Sequence, residues 1–165
     1  MNTNPLVQMR VNGADVAAHV APLTTLAELL RQSGCVGVRL GCEEGICGSC
    51  SVLVDGRSVR SCLTVAAQMD GVSVTTVEGF DGDPALRAIQ DSLIAHFGAQ
   101  CGFCTSGMLA VIAEYLADPT VLDHTDEAAI RTRLSAVVCR CTGYQQVVAA
   151  VRSLAMRQAV NPHGR

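Results

Sequence analysis

Apolar residues in the first half of the chain alternate with polar ones at a period of two, which is typical of β-strands. This pattern and the Asn-Gly and Asp-Gly pairs that interrupt it predict strands at residues 6–11, 14–20, 51–54, 59–63 and 72–77. Between the second and third strands, Thr25 and Glu28 form a capping box, which opens a helix that stops at Gly34. A cysteine- and glycine-rich loop at 41–50 precedes the third strand.

In the second half the hydrophobic period lengthens to about 3.6, which predicts helices. Asp83 and Pro84 begin the first of them, and its apolar stripe is Leu86, Ile89, Leu93, Ile94 and Phe97. Further helices are predicted at 105–116, from about 125 to 137, and at 144–159. The Gly- and Asp-rich segment 79–84 has the composition of a linker. We therefore predict an α+β chain with a sheet domain at 1–78, a linker at 79–84 and a helical domain at 85–165.

Composition narrows the possible functions. Hydrophobic residues make up 49% of the chain and charged residues 16%, enough to bury a core, and Trp is absent, so the core is expected to be aliphatic. The net charge is -3 without a run of Lys or Arg, which argues against nucleic-acid binding. No apolar stretch approaches the roughly 18 residues of a membrane span, and the start lacks a secretion signature. A cytoplasmic location is the expectation.

Four of the nine cysteines form a first set around the glycine-rich loop. Cys42, Cys47 and Cys50 have the spacing C-x4-C-x2-C, and Cys62 follows after eleven residues. The first three match plant-type [2Fe–2S] spacing, and the loop glycines allow backbone N–H groups to approach the sulfurs. A four-cysteine zinc site, the alternative, usually shows paired two-cysteine knuckles instead.

Four more cysteines lie at predicted helix ends. Cys101 and Cys104 form a C-x2-C pair, and Cys139 and Cys141 form a C-x-C pair after 34 intervening residues. Antiparallel packing of the helices would bring both pairs to one end of a bundle. A thioredoxin-like role lacks the βαβ setting, and disulfides are disfavoured in a reducing compartment. The spacing alone leaves both an iron–sulfur cluster and zinc open.

Three motifs carry a resemblance to a known family: residues 41–50 (GCEEGICGSC), 100–108 (QCGFCTSGM) and 139–144 (CRCTGY). In this order they resemble the signatures of the small iron–sulfur subunit of the xanthine oxidase family of molybdenum hydroxylases. The resemblance spans nearly the whole chain. It implies an N-terminal ferredoxin-like β-grasp domain and a C-terminal four-helix bundle domain, each with one [2Fe–2S] cluster.

The resemblance also implies partners and an electron path. A large subunit would carry a molybdopterin cofactor and a medium subunit FAD, in a heterotrimer or a dimer of heterotrimers. Electrons would pass from molybdenum to the cluster on Cys101, Cys104, Cys139 and Cys141, then to the cluster on Cys42, Cys47, Cys50 and Cys62, and then to FAD or another acceptor. Gln100 would contact the pterin, and Cys139 is a second candidate for that contact. The substrate site would lie on another subunit.

Some positions depart from this pattern or fall outside it. The family commonly has proline where this chain has Ser106, and a serine can cap the helix instead. Cys35 belongs to neither set and is expected to be a small buried hydrophobic residue. Arg140 could tune the potential of a cluster or simply be a surface charge. A stand-alone ferredoxin-type carrier and a zinc-stabilised interaction module are the alternative functions.

Overall fold

A computed structural model describes residues 4–160, with side chains to residue 157. Its first half is one five-stranded mixed sheet in the order β2-β1-β5-β3-β4. The strands are β1 (Leu6–Val11), β2 (Ala14–His19), β3 (Ser51–Val54), β4 (Arg57–Arg60) and β5 (Ser73–Thr75). β1 pairs antiparallel with β2 and parallel with β5, and β3 pairs antiparallel with both β5 and β4.

Both predicted hairpins form. Asn12 and Gly13 have φ values of 52° and 83°, and Asp55 and Gly56 have 48° and 80°. Positive φ at both central residues is the geometry of a type I′ turn, whose twist matches that of the flanking strands.

The helix of the first half, α1 (Leu26–Gln32), starts as the sequence predicted. The Thr25 hydroxyl accepts a hydrogen bond from the Glu28 N–H, and the Glu28 carboxylate accepts one from the Thr25 N–H at 2.7 Å. Leu26 and Leu30 are completely buried in a core that they share with the apolar side chains of β1.

In the second half, the described residues form four helices around a core of their own. They are α2 (Pro84–Ala95), α3 (Thr105–Ala117), α4 (Glu127–Leu134) and α5 (Gln145–Val160). Asp83 caps α2, because its carboxylate accepts hydrogen bonds from the N–H groups of Ala85 and Leu86 at 2.8 and 3.3 Å. Strands and helices together give the α+β class that the sequence predicted.

The two cores meet at β3. Val52 belongs to the core under α1, whereas its neighbour Leu53 belongs to the helical core, since successive residues of a strand point to opposite faces. The segment expected to be a linker is mostly a 3₁₀ helix, Val77–Gly82, and Phe80 within it is only 1% exposed and packs into the helical core. The connection between the halves is therefore packed.

The sequence predictions were wrong at several element ends. β4 ends at Arg60 rather than at residue 63, and β5 is confined to Ser73–Thr75 because the chain turns into the 3₁₀ helix. Ile94 and Phe97 do not join the buried stripe of α2 but are 69% and 81% exposed. The helix ends at Ala95, and Phe97, at φ 55°, points away from the core. No helix of the described residues combines the length and apolarity needed to cross a membrane.

Candidate iron–sulfur sites

The first quartet (Cys42, Cys47, Cys50 and Cys62) gathers at one edge of the sheet. Cys42 and Cys47 lie in the loop after α1, Cys50 directly precedes β3, and Cys62 follows β4, so the β3–β4 hairpin brings the last two together. The thiols interact in two pairs, Cys42 with Cys47 and Cys50 with Cys62. Cys50 and Cys62 are buried, at 2% and 6% exposure.

Backbone N–H groups converge on Cys42. The amides of Glu44 and Cys47 lie 3.4 and 3.3 Å from its Sγ atom. These donors stabilise a thiolate and lower the pKa of Cys42 to about 7. The loop can point its amides inwards because Glu43, Gly45 and Gly48 have positive φ values of 57°, 75° and 75°.

Cys62 has the opposite environment. Burial and, to a smaller extent, the neighbouring Cys50 and Cys42 thiols together raise the pKa of the Cys62 thiol to about 11. A group that resists ionisation alone but lies among other thiols is well suited to a site where a metal supplies the compensating positive charge.

The second quartet (Cys101, Cys104, Cys139 and Cys141) gathers at one end of the helices. Cys101 and Cys104 lie between α2 and α3, and Cys139 and Cys141 lie between α4 and α5. The interacting pairs here cross between the two loops, Cys101 with Cys141 and Cys104 with Cys139. Cys101 and Cys141 are exposed, whereas Cys104 and Cys139 are partly buried. Burial and the Cys139 thiol raise the pKa of Cys104 to about 12.

Thr142 and Tyr144, which follow Cys139 in the chain, both contact it. The Tyr144 hydroxyl accepts a hydrogen bond from the Cys139 N–H at 2.9 Å and donates one to the Val137 carbonyl at 2.8 Å. The Thr142 hydroxyl lies 3.2 Å from the Cys139 Sγ atom. Burial acts to raise the pKa of Cys139, but hydrogen bonds, with that of Thr142 the strongest, outweigh it and lower the pKa. Sequence reasoning missed both roles.

The loops of the two quartets are in direct contact. The Val138 N–H, next to Cys139, donates to the Cys47 carbonyl at 2.8 Å. Arg60 joins the same loops, because its guanidinium donates to the Gly45 carbonyl at 3.4 Å and also to the Ala136 carbonyl.

Close backbone packing accompanies these hydrogen bonds. A Cβ atom on Gly48 would overlap the Ala136 carbonyl oxygen, and one on Gly107, in the first turn of α3, would overlap the Gly48 carbonyl oxygen. The Phe103 ring of the second site lies against Gly41 of the first. The structure thus places the two quartets side by side.

The remaining candidate residues lie as follows. Gln100 is exposed beside Cys101, and Arg140 is exposed between the last two cysteines of the second quartet. The Ser106 hydroxyl is buried without a hydrogen-bond partner among the described residues, so it does not cap α3. Cys35 is 7% exposed in the core under α1, as expected, and its Sγ atom lies 3.8 Å from the Asn12 side-chain nitrogen.

The four thiols of each quartet determine which kind of metal centre it can bind. Within residues 4–160, no group of three or more His, Cys, Asp or Glu side chains is arranged to hold a single metal ion. Each quartet instead offers four thiols in two pairs, and four thiolates are the usual ligands of a [2Fe–2S] core. The residues present fit such a cluster.

Comparison with known proteins identifies the class. Residues 7–94 match the family model described as "2Fe-2S iron-sulfur cluster binding domain", and residues 76–152 match the one described as "[2Fe-2S] binding domain". The chain is therefore a [2Fe–2S] iron–sulfur protein.

Similar proteins narrow the class to a family. The nicotine 6-hydroxylase small subunit of Paenarthrobacter nicotinovorans is 46% identical over 88% of this chain and 86% of that subunit. The xanthine dehydrogenase iron-sulfur-binding subunit of Escherichia coli O157:H7 is 39% identical over 88% of this chain and 91% of its own length. The structure of quinoline 2-oxidoreductase from Pseudomonas putida 86 superposes with a TM-score of 0.84, at 38% identity, over 98% of this chain and 99% of that chain.

The chain belongs to the small iron–sulfur subunits of the xanthine oxidase family of molybdenum hydroxylases, as its motifs indicated. It is an electron-transfer subunit of an oxidoreductase.

Proposed function

We propose that this chain holds two [2Fe–2S] clusters, one on each quartet, and relays electrons from a molybdopterin centre through the second quartet's cluster to the first, and on to FAD or another acceptor. When bound, each such cluster would act as a one-electron carrier. The observation that carries the proposal is the direct contact between the loops of the two quartets, where the Val138 N–H donates to the Cys47 carbonyl at 2.8 Å. Two adjoining redox centres form a relay, whereas one centre would suffice for a diffusing carrier.

The pairing of thiols supports a diiron core at each site. A [2Fe–2S] cluster with four cysteine ligands has two thiolates on each iron. We assign Cys42 with Cys47 and Cys50 with Cys62 to the two irons of the first cluster, following the thiol pairs of the structure. The crossed pairs of the second quartet, Cys101 with Cys141 and Cys104 with Cys139, give the corresponding assignment there.

The exposure of the second quartet supports its role as the site that receives electrons from a partner subunit. Cys101 and Cys141 are exposed, and Gln100 is exposed beside them, so a cofactor on another subunit can approach this end of the helices. We propose that Gln100, and Cys139 as a second candidate, contact the pterin of a large molybdopterin-binding subunit. A medium FAD-binding subunit would complete a heterotrimer or a dimer of heterotrimers in the cytoplasm.

The same proposal covers the domain layout. Residues 1–78 would form a ferredoxin-like β-grasp domain, 79–84 the linker and 85–165 a four-helix bundle domain. The mixed sheet with α1 packed on one face, and the separate core shared by α2 to α5, support this division.

Metal analysis and EPR spectroscopy of the full chain, purified with its partners, test the proposal. We expect about four irons and four acid-labile sulfides per chain and two distinguishable [2Fe–2S] signals after reduction. Cys62→Ser should alter or remove one signal and Cys141→Ser the other, whereas Cys35→Ser, the matched control outside both quartets, should change neither. Two irons per chain, or a colourless protein with stoichiometric zinc, would refute it.

A further inference from the structure

The Thr142 hydroxyl has its hydrogen-bonding roles fixed by its neighbours. Its Oγ1 atom accepts a hydrogen bond from the Tyr144 N–H at 3.1 Å and lies 3.2 Å from the Cys139 Sγ atom. The bond from that N–H occupies a lone pair of the oxygen and leaves the hydroxyl hydrogen available to point at the sulfur. A metal-bound thiolate has no proton, so the hydroxyl must be the donor in this contact.

This donor differs in kind from those at the first quartet. Cys42 receives its hydrogen bonds from the backbone amides of Glu44 and Cys47, which no substitution other than proline would remove. Thr142 instead uses a side chain, and it is partly buried, so solvent only partly screens the contact. Hydrogen bonds to cluster sulfurs withdraw negative charge from the core and favour the reduced state.

We propose that Thr142 is a positioning residue that raises the reduction potential of the second cluster by donating a hydrogen bond to the Cys139 thiolate. The inference rests on the proposed function, since it requires Cys139 to be a cluster ligand. Tyr144 completes the arrangement, because its N–H orients the Thr142 oxygen while its hydroxyl accepts from the Cys139 N–H. The electron that reduces the cluster comes from the preceding redox centre, or from dithionite in the experiment.

Potentiometric titration monitored by EPR, on the full chain with its partners, tests this role. Thr142→Val removes the donor at nearly constant volume and should shift the midpoint potential of the second cluster to a more negative value. Thr142→Ser keeps the hydroxyl and should stay near wild type. Thr132→Val, an exposed threonine whose hydroxyl bonds to the Ala128 carbonyl within α4, is the matched control and should move neither midpoint.

The outcomes separate the role of Thr142 from the proposed function. If the wild-type chain shows no second [2Fe–2S] signal, the proposed function fails. If both signals are present and Thr142→Val leaves the second midpoint unchanged, only the role of Thr142 is refuted. Thr142→Ala is a second test should the valine variant lose its cluster. Loss of the second signal in both would also overturn the inference, because the hydroxyl would then be needed to hold the loop rather than to tune the potential.

Discussion

The carbonyl oxygen of Gly48 occupies the space that a Cβ atom on Gly107 would need. Gly48 lies in the loop of the first quartet and Gly107 lies in α3, three residues after Cys104. The backbones of the two halves therefore touch where a side chain would keep them apart.

Gly107→Ala should loosen this contact. The added methyl group meets backbone atoms of Gly48 and Ser49, which cannot rotate away, and overpacking of this kind costs about 1–3 kcal/mol. Thermal denaturation under anaerobic conditions should show the loss, together with an altered EPR signal from the first cluster. Gly82→Ala is the control, because a Cβ atom there meets nothing within 4 Å. Equal stability of both variants would contradict the importance of the Gly107 contact with Gly48.

Arg60→Met should weaken the junction between the two halves at a second place. The guanidinium donates to carbonyls of both halves, Gly45 and Ala136, so its removal takes away a direct link between them. We expect faster hydrogen exchange of the Val138 amide, measured by mass spectrometry. Arg31→Met is the matched control, since among the described residues Arg31 donates within the first half, to the Val36 and Val38 carbonyls. Similar Val138 exchange in both variants would argue against the bridging role.

Tyr144→Phe should destabilise the loop of the second quartet. It leaves the Cys139 N–H and the Val137 carbonyl without the hydroxyl, at a cost of about 1–3 kcal/mol. The Tyr115 hydroxyl is buried without a hydrogen-bond partner in the described part of the chain, so Tyr115→Phe should be nearly neutral. Chemical denaturation of the two variants side by side provides the comparison. Equal losses of unfolding free energy would count against a stabilising role of the Tyr144 hydroxyl.

The pKa of Cys42 predicts how the cluster-free chain reacts with iodoacetamide. Only the thiolate is alkylated, and a pKa lowered to about 7 means that the thiolate of Cys42 prevails above that pH and disappears below it. Labelling of Cys42 should therefore rise around pH 7, whereas Cys104, with a pKa of about 12, should stay unlabelled there. Peptide mass spectrometry after pulses at different pH values measures both. A Cys42 profile centred near pH 9 would contradict the role of the Glu44 and Cys47 amides.

Local signals in the sequence predicted much of this architecture. The Thr25 capping box, the Asn12-Gly13 turn and the Asp83-Pro84 helix start are all confirmed, because each depends on residues a few positions apart. The prediction that Phe97 joins the apolar stripe of α2 was wrong, since the end of a helix depends on its tertiary contacts as well as on its own sequence. Cysteine spacing indicated the two quartets, and the structure brings each together.

The specific contacts of the cysteine loops were not predicted. The motif CRCTGY contains Thr142 and Tyr144, but nothing in its letters shows that both hydroxyls turn back onto Cys139. A hydroxyl residue three positions after a cysteine is the signal that could have suggested it. The meeting of Gly48 with Gly107 has no local signal, because it joins residues from the two halves of the chain.

The place of Cys62 after the β3–β4 hairpin has a consequence for maturation. Until that hairpin closes, the first loop offers three thiols, and until α3 and α4 fold back, Cys101 and Cys104 lack their crossed partners. An incompletely folded chain therefore presents too few ligands to retain a four-cysteine core. About four irons retained by a newly made subunit would indicate that both long-range closures have taken place before the subunit joins its complex.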